Sequence, residues 1–458
     1  MKKKLFFGMV LVLITAMTLG LSTAMAQSPP GPATSWPFLR NPTGSAATAT
    51  IDFYDLTGSK VFTVSNFSVP ADSTVLVPVY SYNQAPPNGL GSNFTGSMVV
   101  SSDVQLIAMS NVVHTTDSSG GSYSGASTGA ASVTLPAVHK NDWGWYSEIS
   151  VQNVGTTDAS VTLEFTPAPA PYGSGTAYTT SAQTIKPGAA YRWNAANITD
   201  IGTQFVGACK ATSTGGNIIA VCEEWNTAAS NMTLLYNGIP EGGGGTTAYL
   251  PAQHNNNFGW YSYNFIRETS GTAGTLNYEW VGTGGTSGSV AIAANGMVVL
   301  ATADYLGTTD YVGALKITAT GGASIIAMCN EVNSNGYQAG SYNAVYSGNT
   351  TLFFPAQHNQ NWGWQSFNFL YNPSGTAANV TVTWTKTDGT GSVPAPFNTT
   401  VPANGRLGLY TQDYLTGDVY GSLKVECTNS IDLVGVCNEV DTDAGSVDAF
   451  ISYNGFGQ

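Results

Sequence analysis

The feature that most limits what this 458-residue chain can become is its internal repetition. Leu135-Pro136-Ala137-Val138-His139 returns as Leu250-Pro251-Ala252-Gln253-His254 and again as Phe354-Pro355-Ala356-Gln357-His358. Each copy leads into an aromatic–Gly–Trp step, Trp143-Gly144-Trp145, Phe258-Gly259-Trp260 and Trp362-Gly363-Trp364. An alternating segment follows each step, at 147–159, 262–274 and 366–378. Residues 35–47 (SWPFLRNPTGSAA) match that segment with no L-P-A-x-H motif before them. Four copies of about 105 residues are therefore present, the first without the L-P-A-x-H motif, which is expected to mark the junctions between domains.

Later landmarks keep the same order. A turn recurs at Pro70-Ala71-Asp72-Ser73, Pro187-Gly188, Ala294-Asn295-Gly296 and Pro402-Ala403-Asn404-Gly405. Each copy then closes on two apolar-alternating runs around a Gly- or Asn-containing turn, at 96–111, 207–224, 313–331 and 421–439. Period-2 alternation across such a turn predicts a hairpin. Only 9% of residues are charged, while Gly, Thr, Val and aromatics abound, which suits strands and starves helices. A copy this long can enclose its own core, with about seven strands at immunoglobulin-like spacing. The expected fold is all-β: four tandem immunoglobulin-like β-sandwich domains after a cleaved signal peptide.

The order L-P-x-x-x, G-W-x-S, N-x-G/S-x-A, P-A-N-G and G-S-x-K-V resembles the poorly characterised β-sandwich repeats of many exported bacterial surface proteins. The resemblance covers Trp36 to the C-terminus and implies extracellular modules with no catalytic residues to carry over.

Export is also written at the N-terminus. Lys2, Lys3 and Lys4 precede an apolar run from Leu5 to Leu21, and Ala24-Met25-Ala26 offers the small residues of a cleavage site. The expected organisation is a signal peptide (1–26), a Pro-rich segment (27–34), and repeats at 35–134, 135–249, 250–353 and 354–458. No later stretch is long and apolar enough to span a bilayer as a helix, so no transmembrane segment is expected in the mature chain. The formal charge of −13 argues against nucleic acid as a partner.

Candidate chemistry is repeated rather than singular. His139, His254 and His358 hold equivalent places in three copies, one per copy, and read as hydrogen-bonded turn-fixing residues rather than metal ligands. Cys209 and Cys222 flank one expected hairpin turn, and Cys427 and Cys437 another, making two disulfide candidates in an oxidising compartment. Cys329 is left as a free thiol. Asp200, Asp304 and Asp413 recur as weak calcium candidates, although no D-x-D-x-D run accompanies them. Glu224, Glu331 and Glu439 recur just after the closing segment, with Val112 in place of the first. A glycosidase needs one carboxylate pair in one cleft, so acids repeated at equivalent places argue against hydrolysis.

The pairs Trp143/Trp145, Phe258/Trp260 and Trp362/Trp364 would lie side by side on one strand face. Exposed, they could stack on sugars; buried, they would set the angle between domains. The sequence thus predicts a secreted or cell-surface, non-catalytic structural protein without cofactor, self-associating into a layer, sheath or filament. The alternative is an adhesin that binds surface polysaccharide through those aromatic residues.

Overall fold

The computed structural model describes residues 31–91, 93–115, 118–227, 232–333, 337–442 and 448–457. The expected signal peptide, and the Pro-rich segment up to residue 30, lie outside them. Strands dominate, and the two α-helices, Thr302–Leu306 and Thr411–Tyr414, are single turns.

The strands sort by chain order into four consecutive sets, here called units. The third unit shows the plan. A leading strand (Thr247–Asn255) pairs with an outgoing strand (Tyr311–Thr320), which pairs with a third strand (Gly274–Val281). In the opposing sheet a second strand (Trp260–Glu268) pairs with a return strand (Ile325–Asn333), and that one with a short axial strand (Gln338–Asn343). Alternating side chains such as Leu250, Leu276, Leu315, Ile317 and Cys329 fill the space between the sheets.

The runs expected to close each copy as a hairpin do not pair with each other. Phe205–Gly215 pairs with the leading strand Ser132–Asp142 and with Ala159–Pro167. Ile218–Asn226 pairs with Trp145–Asn153 and with Thr233–Asn237 instead. The turn between them is an arch from one sheet to the other, and the same holds for Val419–Cys427 and Val434–Asp441. Both runs bury alternate residues in one core, which gives a hairpin-like pattern without hairpin pairing.

That arch removes the basis for the expected disulfides. Cys209, Cys222, Cys427 and Cys437 are buried free thiols, as is Cys329. Cys209 and Cys222 face one core from opposing ladders. Cys427 instead turns to its own arch, 3.1 Å from Asn429 Oδ1.

The L-P-A-x-H motif is likewise no linker. It lies inside the leading strand, where Leu135 faces Cys209 and Val138 faces Gly207, so Pro136 and Ala137 together oppose one residue. Proline lacks the N–H that a ladder requires, and a bulge is where a central strand tolerates it. The same shift lies between Leu250 and Gln253 and between Phe354 and Gln357. The bulge leaves an alanine N–H and C=O to satisfy, and a tyrosine of the axial strand supplies both. Tyr342 Oη accepts from Ala252 N (3.2 Å) and donates to Ala252 O. Tyr236 does the same at Ala137, and Tyr453 donates to Ala356 O.

The units close into a ring. The axial strands Gly120–Ser124, Thr233–Asn237, Gln338–Asn343 and Phe450–Asn454 each touch the next, and the last touches the first. Four equivalent head-to-tail contacts that close require an approximate fourfold axis with no translation along it. Small and large residues alternate there: a Cβ on Gly121 would meet Leu235 N at 2.4 Å, and one on Gly340 the Phe450 ring at 2.5 Å.

Candidate functional site

The recurrent histidines and glutamates, distant in sequence, meet at the unit boundaries. Glu224 Oε1 is 3.1 Å from His139 of its own unit, and its Oε2 accepts from Asn330 of the third unit at 2.9 Å. Glu331 lies 3.1 Å from His254 and accepts from Asn438 (2.9 Å) and Ser452 (3.3 Å) of the fourth unit. Glu439 accepts from Asn111 of the first unit at 2.7 Å, while His358 stands off at 3.9 Å. All three carboxylates are fully buried. A buried charge is tolerable only where partners are in place, so each glutamate ties two units together. Each histidine is also fixed along its backbone: His139 N, His254 N and His358 N donate to Ser147, Ser262 and Ser366 at 2.8–2.9 Å.

Burial sets the protonation of these groups. It opposes charge on His139, but the Glu224 carboxylate outweighs it and raises the imidazole pKa. At the wider pair, burial pushes Glu439 up to about 8, against the hydrogen bond from Asn111, and pulls His358 down to about 4.

The fourth boundary, between the first and second units, is built differently. Val112 occupies the glutamate position and Glu223 the asparagine position. Polarity is reversed: Glu223 Oε1 approaches His114 Nε2 at 2.7 Å, and His114 Nδ1 lies 3.1 Å from Gly31 O. The other boundaries also share apolar cores. Phe265 and Met328 join the second unit's cluster, Phe369 and Val436 the third's, and Phe38 and Met109 the fourth's. The first unit's cluster contains first-unit residues alone.

A second polar device lies within the sandwiches. Gln253 and Asn264 bond at 2.9 Å, as do Asn368 and Gln357 at 2.8 Å. Their second-unit counterparts are Val138 and Ile149, both fully buried. Exchanging both partners together avoids leaving one buried amide without its mate.

The aromatic–Gly–Trp steps are turns rather than straight strand. Asp142 pairs with Trp145 and Asn361 with Trp364, so two residues form each loop. Both have positive φ: Trp143 49° and Gly144 84°, Phe258 49° and Gly259 88°, Trp362 53° and Gly363 86°. This is the type I′ signature, whose twist suits a hairpin and whose first position favours Asn or Gly. The first aromatic of each step stands at the tip, 87%, 89% and 71% exposed for Trp143, Phe258 and Trp362. Trp145, Trp260 and Trp364 are half-buried at the base. Trp260 packs against Phe450 of the next unit at 4.3 Å. Each pair thus has an outward ring and a structural ring, and the expected side-by-side platform does not form.

Asp200, Asp304 and Asp413 sit in the short helical turns before the outgoing strands, exposed, one in each of the second, third and fourth units. Tyr172 of the second unit donates to Asp304. Among the described residues, no group of three or more His, Cys, Asp or Glu is placed to hold a metal ion, and no helix is long and apolar enough to cross a membrane. The histidines and glutamates recur visibly in the sequence; their pairing does not, because 77 to 85 positions separate His254 from Glu331 and His139 from Glu224.

No family model matches the chain, and no curated protein does. Among solved structures, Thermotoga maritima 1070 is similar over 25% of this chain and 96% of its own, at 12% identity and a TM-score of 0.21. The partial N-terminal region of an enterococcal surface protein covers 77% of this chain and 89% of its own (5% identity, TM-score 0.18). A tetra-tandem repeat from the extending region of a large adhesion protein covers 91% and 92% (11%, 0.12). Scores this low carry no inference about what the chain does.

Proposed function

We propose that this is a non-catalytic extracellular adhesion protein whose ring holds three aromatic tips on one rim to engage a polysaccharide surface. The observation that carries the reading is the conformation of the tips. A large aromatic side chain in the left-handed region costs on the order of 1 kcal/mol, and glycine or asparagine would remove that cost. Trp143, Phe258 and Trp362 keep it while exposing most of their surface. Strain retained at an exposed position indicates a role outside the fold. Equivalent positions about one axis share one height, so the three rings present a multivalent face. Weak stacking at each would add through effective concentration.

The absence of catalysis is part of the proposal. The recurrent glutamates are taken up by boundary contacts, and the recurrent surface aspartates Asp200, Asp304 and Asp413 stand one in each of the last three units.

The test is a triple variant, Trp143→Asn, Phe258→Asn and Trp362→Asn, assayed on a glycan array and for attachment to cells. Attachment should fall at least tenfold while stability is kept or raised. Unchanged attachment would remove the tips from the function. A structural role in an assembly with another polypeptide is the second reading, supported by a strand edge of the first unit that has no neighbour among the described residues.

A further inference from the structure

Among the described residues, the first unit has no counterpart of the leading strand that the other three possess. Its outgoing strand, Gly96–Ser102, pairs with Ala47–Asp55 on one side. On the other side no strand follows among the described residues, and it is the edge of a three-stranded sheet. Its counterparts each have two neighbours: Phe205–Gly215 lies beside Ser132–Asp142, Tyr311–Thr320 beside Thr247–Asn255, and Val419–Cys427 beside Thr351–Asn361.

Three further observations mark this edge as a vacancy rather than a finished surface. First, the core behind it is incomplete. Met98 and Val100 are half-buried, whereas Leu315 and Ile317, at the same positions in the third unit, are fully buried. Second, the edge is undefended. Exposed edges are normally blunted by lysine, proline or a bulge. Here the positions of Lys210, Lys316 and Lys424 are matched by Val99, 37% exposed, in the uncharged run GSMVVSS. Third, the tyrosine that serves the bulge is retained. Tyr123 occupies the place of Tyr236, Tyr342 and Tyr453, with no leading strand beside it; Ser110 is its hydrogen-bonding neighbour. The vacancy adjoins the first–second boundary, where Ser97 Oγ donates to Gly188 O at 3.1 Å.

We infer that the Gly96–Ser102 edge accepts a β-strand from another polypeptide. The occupant is an extended, uncharged segment of about nine residues, with apolar side chains at alternate positions and a small residue at the bulge. Its chemistry is given by the strands in the other three slots, where Leu135 and Ala137, Leu250 and Ala252, and Phe354 and Ala356 enter the core. A second copy of this chain is disfavoured, because each such strand it holds is already central in its own sheets. The inference does not depend on the aromatic tips.

The probe is a synthetic peptide of residues 351–361, TLFFPAQHNQN, added to the mature chain. Saturable one-to-one binding with a rise in Tm is expected. A peptide carrying Leu352→Asp and Phe354→Asp should bind at least about tenfold more weakly. A second variant guards against an insoluble peptide. Phe456 sits on Phe353 as Ile239 sits on Thr134, and after Ile239-Pro240 the chain runs on into the next leading strand. A chain continued after Gln458 by a copy of residues 242–255 should therefore fill its own vacancy, melt higher and lose peptide binding. No binding by the native chain together with an unchanged Tm in the extended chain overturns the inference. So does a dimer by light scattering that excludes the peptide, or binding that appears only when residues 27–32 are deleted; these assign the slot to a second copy or to the chain itself.

Discussion

The first and third units are built on one strand plan, yet one is closed and the other open. In the third, buried residues far outnumber the partly buried ones in the cluster, and its carboxylate Glu331 clasps the fourth unit. In the first, partly buried residues outnumber the buried ones in the cluster, and the clasp is replaced by His114 and Glu223. Only the leading strand need be removed to account for both differences, because that strand covers the core and carries the histidine that meets the glutamate. Where no such strand is seen, the boundary that it would line is built differently as well.

This comparison can be broken at equivalent positions, most severely in the cores. Leu315→Ala should cost about 2–5 kcal/mol, whereas Met98→Ala at the matching half-buried site should cost roughly half as much; urea unfolding measures both. Equal losses would mean the first unit is closed in solution. Among the clasps, Glu331→Ala should cost about 3 kcal/mol, because His254, Asn438 and Ser452 lose a buried partner. Glu223→Ala, at a wetter boundary, should cost about 1 kcal/mol.

Smaller effects separate the tyrosines. Tyr342→Phe strips the bulge at Ala252 of its donor and acceptor and should cost about 1–3 kcal/mol, against less than about 1 for Tyr123→Phe. The fourth–first boundary adds a dependence on pH. Glu439 ionises near 4.5 when unfolded and at about 8 when folded, so the folded chain binds the extra proton across that window. Its contribution is complete below pH 4.5 and is lost as pH rises through 8. His358 runs the other way, its contribution lost as pH falls from 6.5 through about 4. Urea midpoints measured from pH 6 to 9 should decline, and Glu439→Gln should flatten that decline. The smallest change is a gain: Phe258→Asn should stabilise by up to about 1 kcal/mol by relieving the positive φ. A loss would show that the ring is packed rather than presented.

Much of this plan was legible in the sequence, and the exceptions have physical causes. Repetition and composition led to an all-β chain, but the absence of the motif from the first copy, read as the absence of a linker, gave no sign of an open sheet edge there. The L-P-A-x-H motif was misplaced at a junction because proline argues against a central strand, and only the bulge with its tyrosine reconciles the two. The arches were read as hairpins because both alternate with period two; pairing partners leave no local trace. The disulfides failed with the arches. The Trp-Gly-Trp steps were misread for a subtler reason: tryptophan is a poor type I′ residue, so its preference concealed the turn.

The ring's covalent continuity has a consequence of its own. Four separate identical subunits could form such a ring, but dilution would dissolve it, and any change in one subunit would appear four times. Joined in one chain, the copies stay together at any concentration and are free to differ. Only such a chain can carry a single open slot in an otherwise closed circle, and so a single, oriented point of attachment.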